Sequence, residues 1–201
     1  MVDQGGSLLR RGFKTWCENV SYGYRRDLNL SRHARLDPRN LARQIGVAIL
    51  TPHDIPGLDA ETLNHLLTVD PDSWSAVTLT IGQVSIVITN SSHPDTRQNN
   101  SLAHELSHLI LKHPPSQAFV TPDGMMVMNE YNRVHEEEAN CLSATLLIPR
   151  DGLIHFLSLG WNDEELAAHF GVSMDLLRMR KNLTGVERQL SRFRALKKRR
   201  F

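Results

Sequence analysis

Residues 101–113 read SLAHELSHLILKH, and this stretch limits the fold more than any other. Leu102, Leu106 and Leu109 recur at helical spacing. A helix advances about 100° per residue, so His104 and His108 stand about 40° apart, on the side away from those leucines. Such a helix roots its leucines in a core and holds its imidazoles toward a cleft. The fold must therefore supply one apolar layer behind the helix and polar company in front of it.

The polar face has a chemistry of its own. Two imidazoles one turn apart can hold one metal ion in a tetrahedral site. Glu105 is too near His104 in sequence to be an easy ligand for the same ion. It can instead take a proton from the attacking water, as in H-E-x-x-H metallopeptidases. A third ligand is expected from VHEEEANCLSATLLIP, residues 134–149. There Glu136 and Glu138 flank the apolar arc of a second helix, while Glu137 points away from it. Glu136 is the expected ligand, with His135 and Glu138 as competitors. Asn140, one turn after Glu136, is placed to bond a ligating histidine, and Pro149 should end the helix. Acids at a helix start also favour the helix dipole without any metal.

Other segments fall into short elements. Residues 7–28 read as a helix through Leu8, Leu9, Phe13, Trp16 and Val20. In LDPRNLARQIGVAIL, Asp37 should cap a helix, Pro38 should open it and Gly46 should stop it before a strand over Val47–Leu50. Asp59 should cap a short helix through Leu67. SAVTLTIGQVSIVIT places two β-rich runs around Gly82 and Gln83, a hairpin pattern. NSSHPDTRQNN reads as turn. Further helices are expected at 130–147 and 163–170, with another beginning at Ser173.

Several single residues have plainer explanations than chemistry. Cys17 could be a redox-sensitive thiol or a fourth zinc ligand, but on the first helix it fits a small core residue better. Cys141 reads as packing. His113 reads as a cation at a helix C-terminus rather than a ligand. Tyr131 and His135 are candidates for a donor that stabilises an oxyanion. Met125, Met126 and Met128 read as a loop over the core.

Composition narrows the class. With 201 residues, 40% of them hydrophobic, the chain suits one ordinary domain or a domain with a small appendage. A net charge of +1 gives no global field toward nucleic acid or membrane. Two cysteines make no disulfide framework and suit a reducing compartment. No apolar run approaches a membrane span, and residues 1–11 lack a signal-peptide pattern, so a cytoplasmic location is expected.

The last part of the chain differs in character. DEELAAHFGVSMDLLRMRKNL has the look of a helix–turn–helix, with Gly171 at the turn, Ser173 as a cap, and Leu166, Phe170, Val172 and Leu177 at the joint. From Arg178 to Phe201 there are ten Lys or Arg against one acid, Glu187. This stretch, Arg178–Arg200, is a candidate for phosphate contacts with nucleic acid, with Arg178, Arg180 and Lys181 on the surface of the second helix.

The two motifs together, SLAHELSHLILKH and EEEANCLSATLLIP, resemble the ImmA/IrrE family of zinc endopeptidases. LDPRNLARQIGVAI, IPGL and WSAV are similar to that family too, over roughly residues 8–182. The resemblance implies an α+β, zincin-like core in which a small sheet supports the H-E-x-x-H helix and a third-ligand helix. It implies a gluzincin-like set of zinc ligands, His104, His108 and Glu136, with Glu105 as catalytic base. It implies a protein substrate, a transcriptional repressor of helix–turn–helix type, cleaved to switch on stress, defence or mobile-element genes. Residues 1–150 would form the peptidase domain and 151–201 the helical segment with its basic tail. Asn100 and Ser107 depart from the family pattern, which commonly has an aromatic residue and a glycine there. The competing function is a DNA-binding or adaptor regulator whose metal site is structural or vestigial. Glu105 speaks against it, since a structural site needs ligands but no base.

Overall fold

The structure is a computed structural model that describes residues 8–82, 84–114, 118–120, 126–128 and 132–198. Its first helix, α1 (Phe13–Asp27), starts after Gly12, whose φ of 85° turns the chain into it. The helix is shorter than the 7–28 read from sequence, and Leu8 lies exposed before it. Phe13, Cys17 and Ser21 form its buried face. Helix α2 (Pro38–Gln44) is capped by Asp37, which accepts from the Arg39 amide at 2.9 Å. Gly46, at a φ of 73°, ends it and leads into β1 (Ala48–Leu50). Asp59 caps α3 (Ala60–Asn64), and a π turn continues it over His65–Val69.

Strands β2 (Ala76–Ile81) and β3 (Val84–Thr89) form the expected hairpin across Gly82. β1 joins β3 in parallel, so the sheet order is β1–β3–β2, and among the described residues β2 pairs on one side only. Helix α4 (Asp95–Leu111) begins within the segment read as turn. Its first residues are poor helix formers, but tertiary bonds hold them. The buried Asn99 donates to the Gly171 carbonyl at 3.0 Å and accepts from Arg39 at 3.1 Å. Arg39 also donates to Gln98 at 3.0 Å. The second correction lies downstream, where β4 (Ala118–Val120) pairs antiparallel with β5 (Met126–Met128). The methionine segment is thus partly strand rather than loop, and Met125 lies outside the described residues.

Helix α5 (Arg133–Leu147) is capped by Asn132, which accepts from the Val134 and His135 amides. α4 and α5 run antiparallel. Leu102 and Leu106 share one core cluster with Leu142 and Leu146, together with Phe13, Cys17, Leu41 and Val87. Pro149 stops α5 and also caps α6 (Arg150–Ser158), a helix that the sequence pattern did not reveal. Helix α7 (Asp163–Phe170) has an Asn162–Glu165 capping box. Gly171, at a φ of 66°, turns the chain toward α8 (Met174–Thr184), which Ser173 caps. The Arg35 guanidinium lies over this turn, 2.6 Å from where a side chain at position 171 would begin. Leu153, Phe156, Leu166, Phe170, Val172 and Leu177 make a second core that also takes in Ala103 and Leu147. Helix α9 (Val186–Lys198) closes the described chain. The architecture is α+β, mostly helical with a small three-stranded sheet. Among the described residues, no helix is long and apolar enough to cross a membrane.

The C-terminal end of α5 is closed by cations from elsewhere in the chain. Arg25, 1% exposed, donates to the Leu146 carbonyl at 2.8 Å and the Ala34 carbonyl at 3.2 Å. Arg180, 4% exposed, donates to the Ile148 carbonyl at 2.9 Å and pairs with Glu18. The last carbonyls of a helix have no partner of their own, and its negative end favours cations. Arg180 is therefore an internal residue, not part of a basic surface. Lys181 is also engaged, with Asp163 at 2.6 Å and Glu187 at 2.5 Å.

Candidate metal centre

α4 supplies His104 and His108, and the first turn of α5 supplies Glu136. Because the helices are antiparallel, the middle of α4 meets the start of α5, with leucines packed behind them. The His104 and His108 Nε2 atoms lie 3.1 Å apart. Glu136 places Oε2 3.3 Å from His104 Nε2 and Oε1 3.4 Å from His108 Nε2. Each of the three side chains is roughly a quarter exposed, so solvent reaches the donors. Among the described residues, these three form the group of His, Cys, Asp and Glu side chains that could hold a metal ion.

The donor set fits a small divalent cation. In a tetrahedral site with metal–nitrogen bonds of about 2.0–2.1 Å, neighbouring donors sit about 3.3–3.4 Å apart. The three separations here fall close to that spacing. Two neutral imidazoles and one carboxylate also suit zinc in charge and softness. Burial pushes His108 down to about 4, helped by the neighbouring His104, His113 and His135. Its ring is therefore neutral at ordinary pH and free to offer a lone pair.

Glu105 stands beside this triad without joining it. Its carboxylate accepts a hydrogen bond from the Thr78 hydroxyl on β2, the edge strand. Burial raises its pKa; the Thr78 bond and His104 act against that rise, and Glu136 adds to it. A half-buried carboxylate with a raised affinity for protons is suited to proton transfer.

The other residues singled out in the sequence sort clearly. Asn140 is exposed, and none of the described hydrogen bonds ties its side chain to a ligating histidine. His135 stacks on His113, with ring centroids 4.2 Å apart, rather than joining the triad. His113 is not a simple helix-end cation. It meets His108 at 3.0 Å and Glu138 at 3.1 Å, contacts that the sequence reading missed. Glu137 accepts from the Leu8 amide at 2.9 Å. Cys17 and Cys141 are buried against each other in the core, and Cys17 lies away from the triad. Ser107 is fully buried and donates to the Ala103 carbonyl at 2.7 Å, so the hydroxyl is accommodated within the helix. Asn100 is exposed and leaves the packing untouched. Tyr131 lies outside the described residues.

Residues 65–182, more than half of the 201, match the family model described as Peptidase_M78, the IrrE N-terminal-like domain. The match begins after β1, takes in the β2–β3 hairpin and helices α4 and α5, and runs into α8. Comparison with curated proteins gives no match.

Proposed function

The chain belongs to the Peptidase_M78 family, and from that membership we propose that it is a zinc-dependent endopeptidase with His104, His108 and Glu136 as ligands and Glu105 as the base. The convergence of the three donors at 3.1–3.4 Å, with a proton-seeking carboxylate alongside, is the observation that carries it. Zinc, when bound, supplies Lewis acidity that activates water and polarises a scissile carbonyl. Glu105 then accepts the proton of the attacking water and passes it to the departing amine. Thr78 holds the carboxylate in place for both transfers. β2, which carries Thr78 beside Glu105, pairs on one side only among the described residues, so an extended polypeptide can bond along its other side as an added strand.

In this reading the fold is zincin-like, residues 1–150 carry the chemistry, and 151–201 form the helix–turn–helix-like segment with its basic tail. The substrate is a helix–turn–helix transcriptional repressor in the cytoplasm, and its cleavage releases stress, defence or mobile-element genes. The family likeness of the two motifs supports that substrate class. Nucleic acid contact through the 178–200 stretch draws on fewer cations than the sequence count implies, because Arg180 and Lys181 are engaged internally. Arg178, Arg188 and Arg192 remain exposed.

The discriminating variant is Glu105→Gln. It should keep its fold and about one zinc per chain, yet cleave the repressor about 10²–10⁴-fold more slowly, since an amide cannot accept the proton. Cleavage at the wild-type rate would remove Glu105 from the mechanism and revive a structural or vestigial metal site in a DNA-binding or adaptor protein.

A further inference from the structure

We propose that His113 and Glu138 are positioning residues for the metal centre, forming with His108 a relay that fixes that ligand's ring orientation and tautomer. The inference rests on the zinc reading above. Three side chains run in line: His108 Nδ1 to His113 Nδ1 at 3.0 Å, then His113 Nε2 to Glu138 Oε2 at 3.1 Å. The outer two are well shielded, His113 at 6% and Glu138 at 17% side-chain exposure.

Proton bookkeeping gives this row one direction. A neutral imidazole carries a single N–H, and a ligating nitrogen must be bare. With His108 Nε2 turned to the metal position, its proton sits on Nδ1 and is donated to His113 Nδ1. The proton of His113 therefore sits on Nε2 and is donated to the Glu138 carboxylate. Each donor meets an acceptor and no proton is left over. A carboxylate at the far end favours this arrangement, because it can only accept. A hydrogen bond to the free ring nitrogen makes a histidine both better aimed and more basic as a ligand.

The backbone is built to deliver His113 there. Lys112 takes a left-handed conformation, with φ 57° and ψ 37°, at the end of α4. That reversal lets the His113 amide donate to the His108 carbonyl at 3.0 Å and folds its ring back over the preceding turn. His135 stacks flat against the ring, 15° from parallel, and limits its rotation. α5 thus contributes twice, with Glu136 at the triad and Glu138 at the end of the relay. No step of the chemistry passes through these two residues, so their influence is read in metal affinity and tautomer.

The test is zinc affinity by competition with a chromophoric chelator, for wild type, His113→Phe, His113→Asn and Glu138→Ala. Removal of the acceptor in His113→Phe, or of the anchor in Glu138→Ala, should weaken zinc binding about 10–100-fold. His113→Asn should recover most of that loss, because its amide oxygen can stand where Nδ1 stood. Nitrogen-15 NMR of the zinc-loaded wild type should find His108 protonated on Nδ1 and His113 on Nε2. That measurement needs no variant to fold. Equal weakening by Phe and Asn would reduce His113 to a packing role and overturn the relay. Full affinity in His113→Phe, or a proton on His113 Nδ1, would overturn it as well. If the wild type takes up no zinc, the peptidase reading itself falls and the relay with it. If it binds zinc and the variants match it, the relay alone falls.

Discussion

Polar groups cluster at the two ends of α5, and the two clusters are built on contrary plans. At the rear, Arg25 and Arg180 meet backbone carbonyls and Glu18, and every charge there has an answer within the chain. At the front, His104, His108 and Glu136 turn their donors toward one another, with a second carboxylate beside them. Three donors brought within 3.4 Å of one another form a set suited to a shared cation. A cluster of charged and polar groups alone therefore does not separate architecture from function. The difference lies in whether the valences close within the chain or converge on one shared point.

The largest effect expected from this contrast is at the rear. Arg180→Met leaves the Glu18 carboxylate without its cation, held among the described residues by the Arg150 amide alone, and should cost about 3 kcal/mol in urea unfolding of the zinc-free protein. Adding Glu18→Gln should recover part of the loss, since the two residues are coupled. A cost below about 1 kcal/mol would mean that the rear cluster is as solvated as an ordinary surface pair.

Zinc should produce the next largest effect, and only at the front. At a hundredfold excess over its dissociation constant it should stabilise the wild type by about 2.7 kcal/mol. The same addition should leave Glu136→Ala unmoved, while Arg180→Met should still gain. Zinc stabilising Glu136→Ala to the same extent would move the third ligand to Glu138 or His135.

The smallest effect concerns Glu105 and pH. Because burial raises its pKa in the folded state, the ionised carboxylate weakens the zinc-free fold. Wild-type stability should therefore fall as pH rises through that raised value, and Glu105→Gln should show no such fall. Near neutral pH the variant should be at least as stable as the wild type, by thermal melts without metal. A less stable variant would place Glu105 with the closed rear cluster rather than with the open front.

The front was largely legible in the sequence. Metal chemistry restricts spacing, so His104, Glu105, His108 and an acid at the start of the next helix stand out without any knowledge of the fold. The rear was not. A lone arginine in an amphipathic helix reads as surface, and Arg180 becomes internal only because Glu18, 162 positions earlier, reaches it. His113 was misread for a related reason. Its role depends on a left-handed lysine before it, a conformation that sequence pattern assigns to glycine or asparagine. Elements with local stop and start residues were found closely, as with Asp37, Gly46, Gly171 and Ser173. The start of α4 was missed because Gln98 and Asn99 are carried there by Arg39 and Gly171, which are distant in sequence.

One rod carries both ends. α5 sets Glu136 against His104 and His108 at its start and rests its final carbonyls on Arg25 and Arg180. Linkage makes any influence between them mutual: by whatever factor docking of α8 tightens zinc binding, zinc tightens docking of α8 by that same factor. A partner that pulled Arg180 away would then act as a brake on metal loading without entering the cleft, and metal scarcity would be felt at the C-terminal helices as a loosened grip.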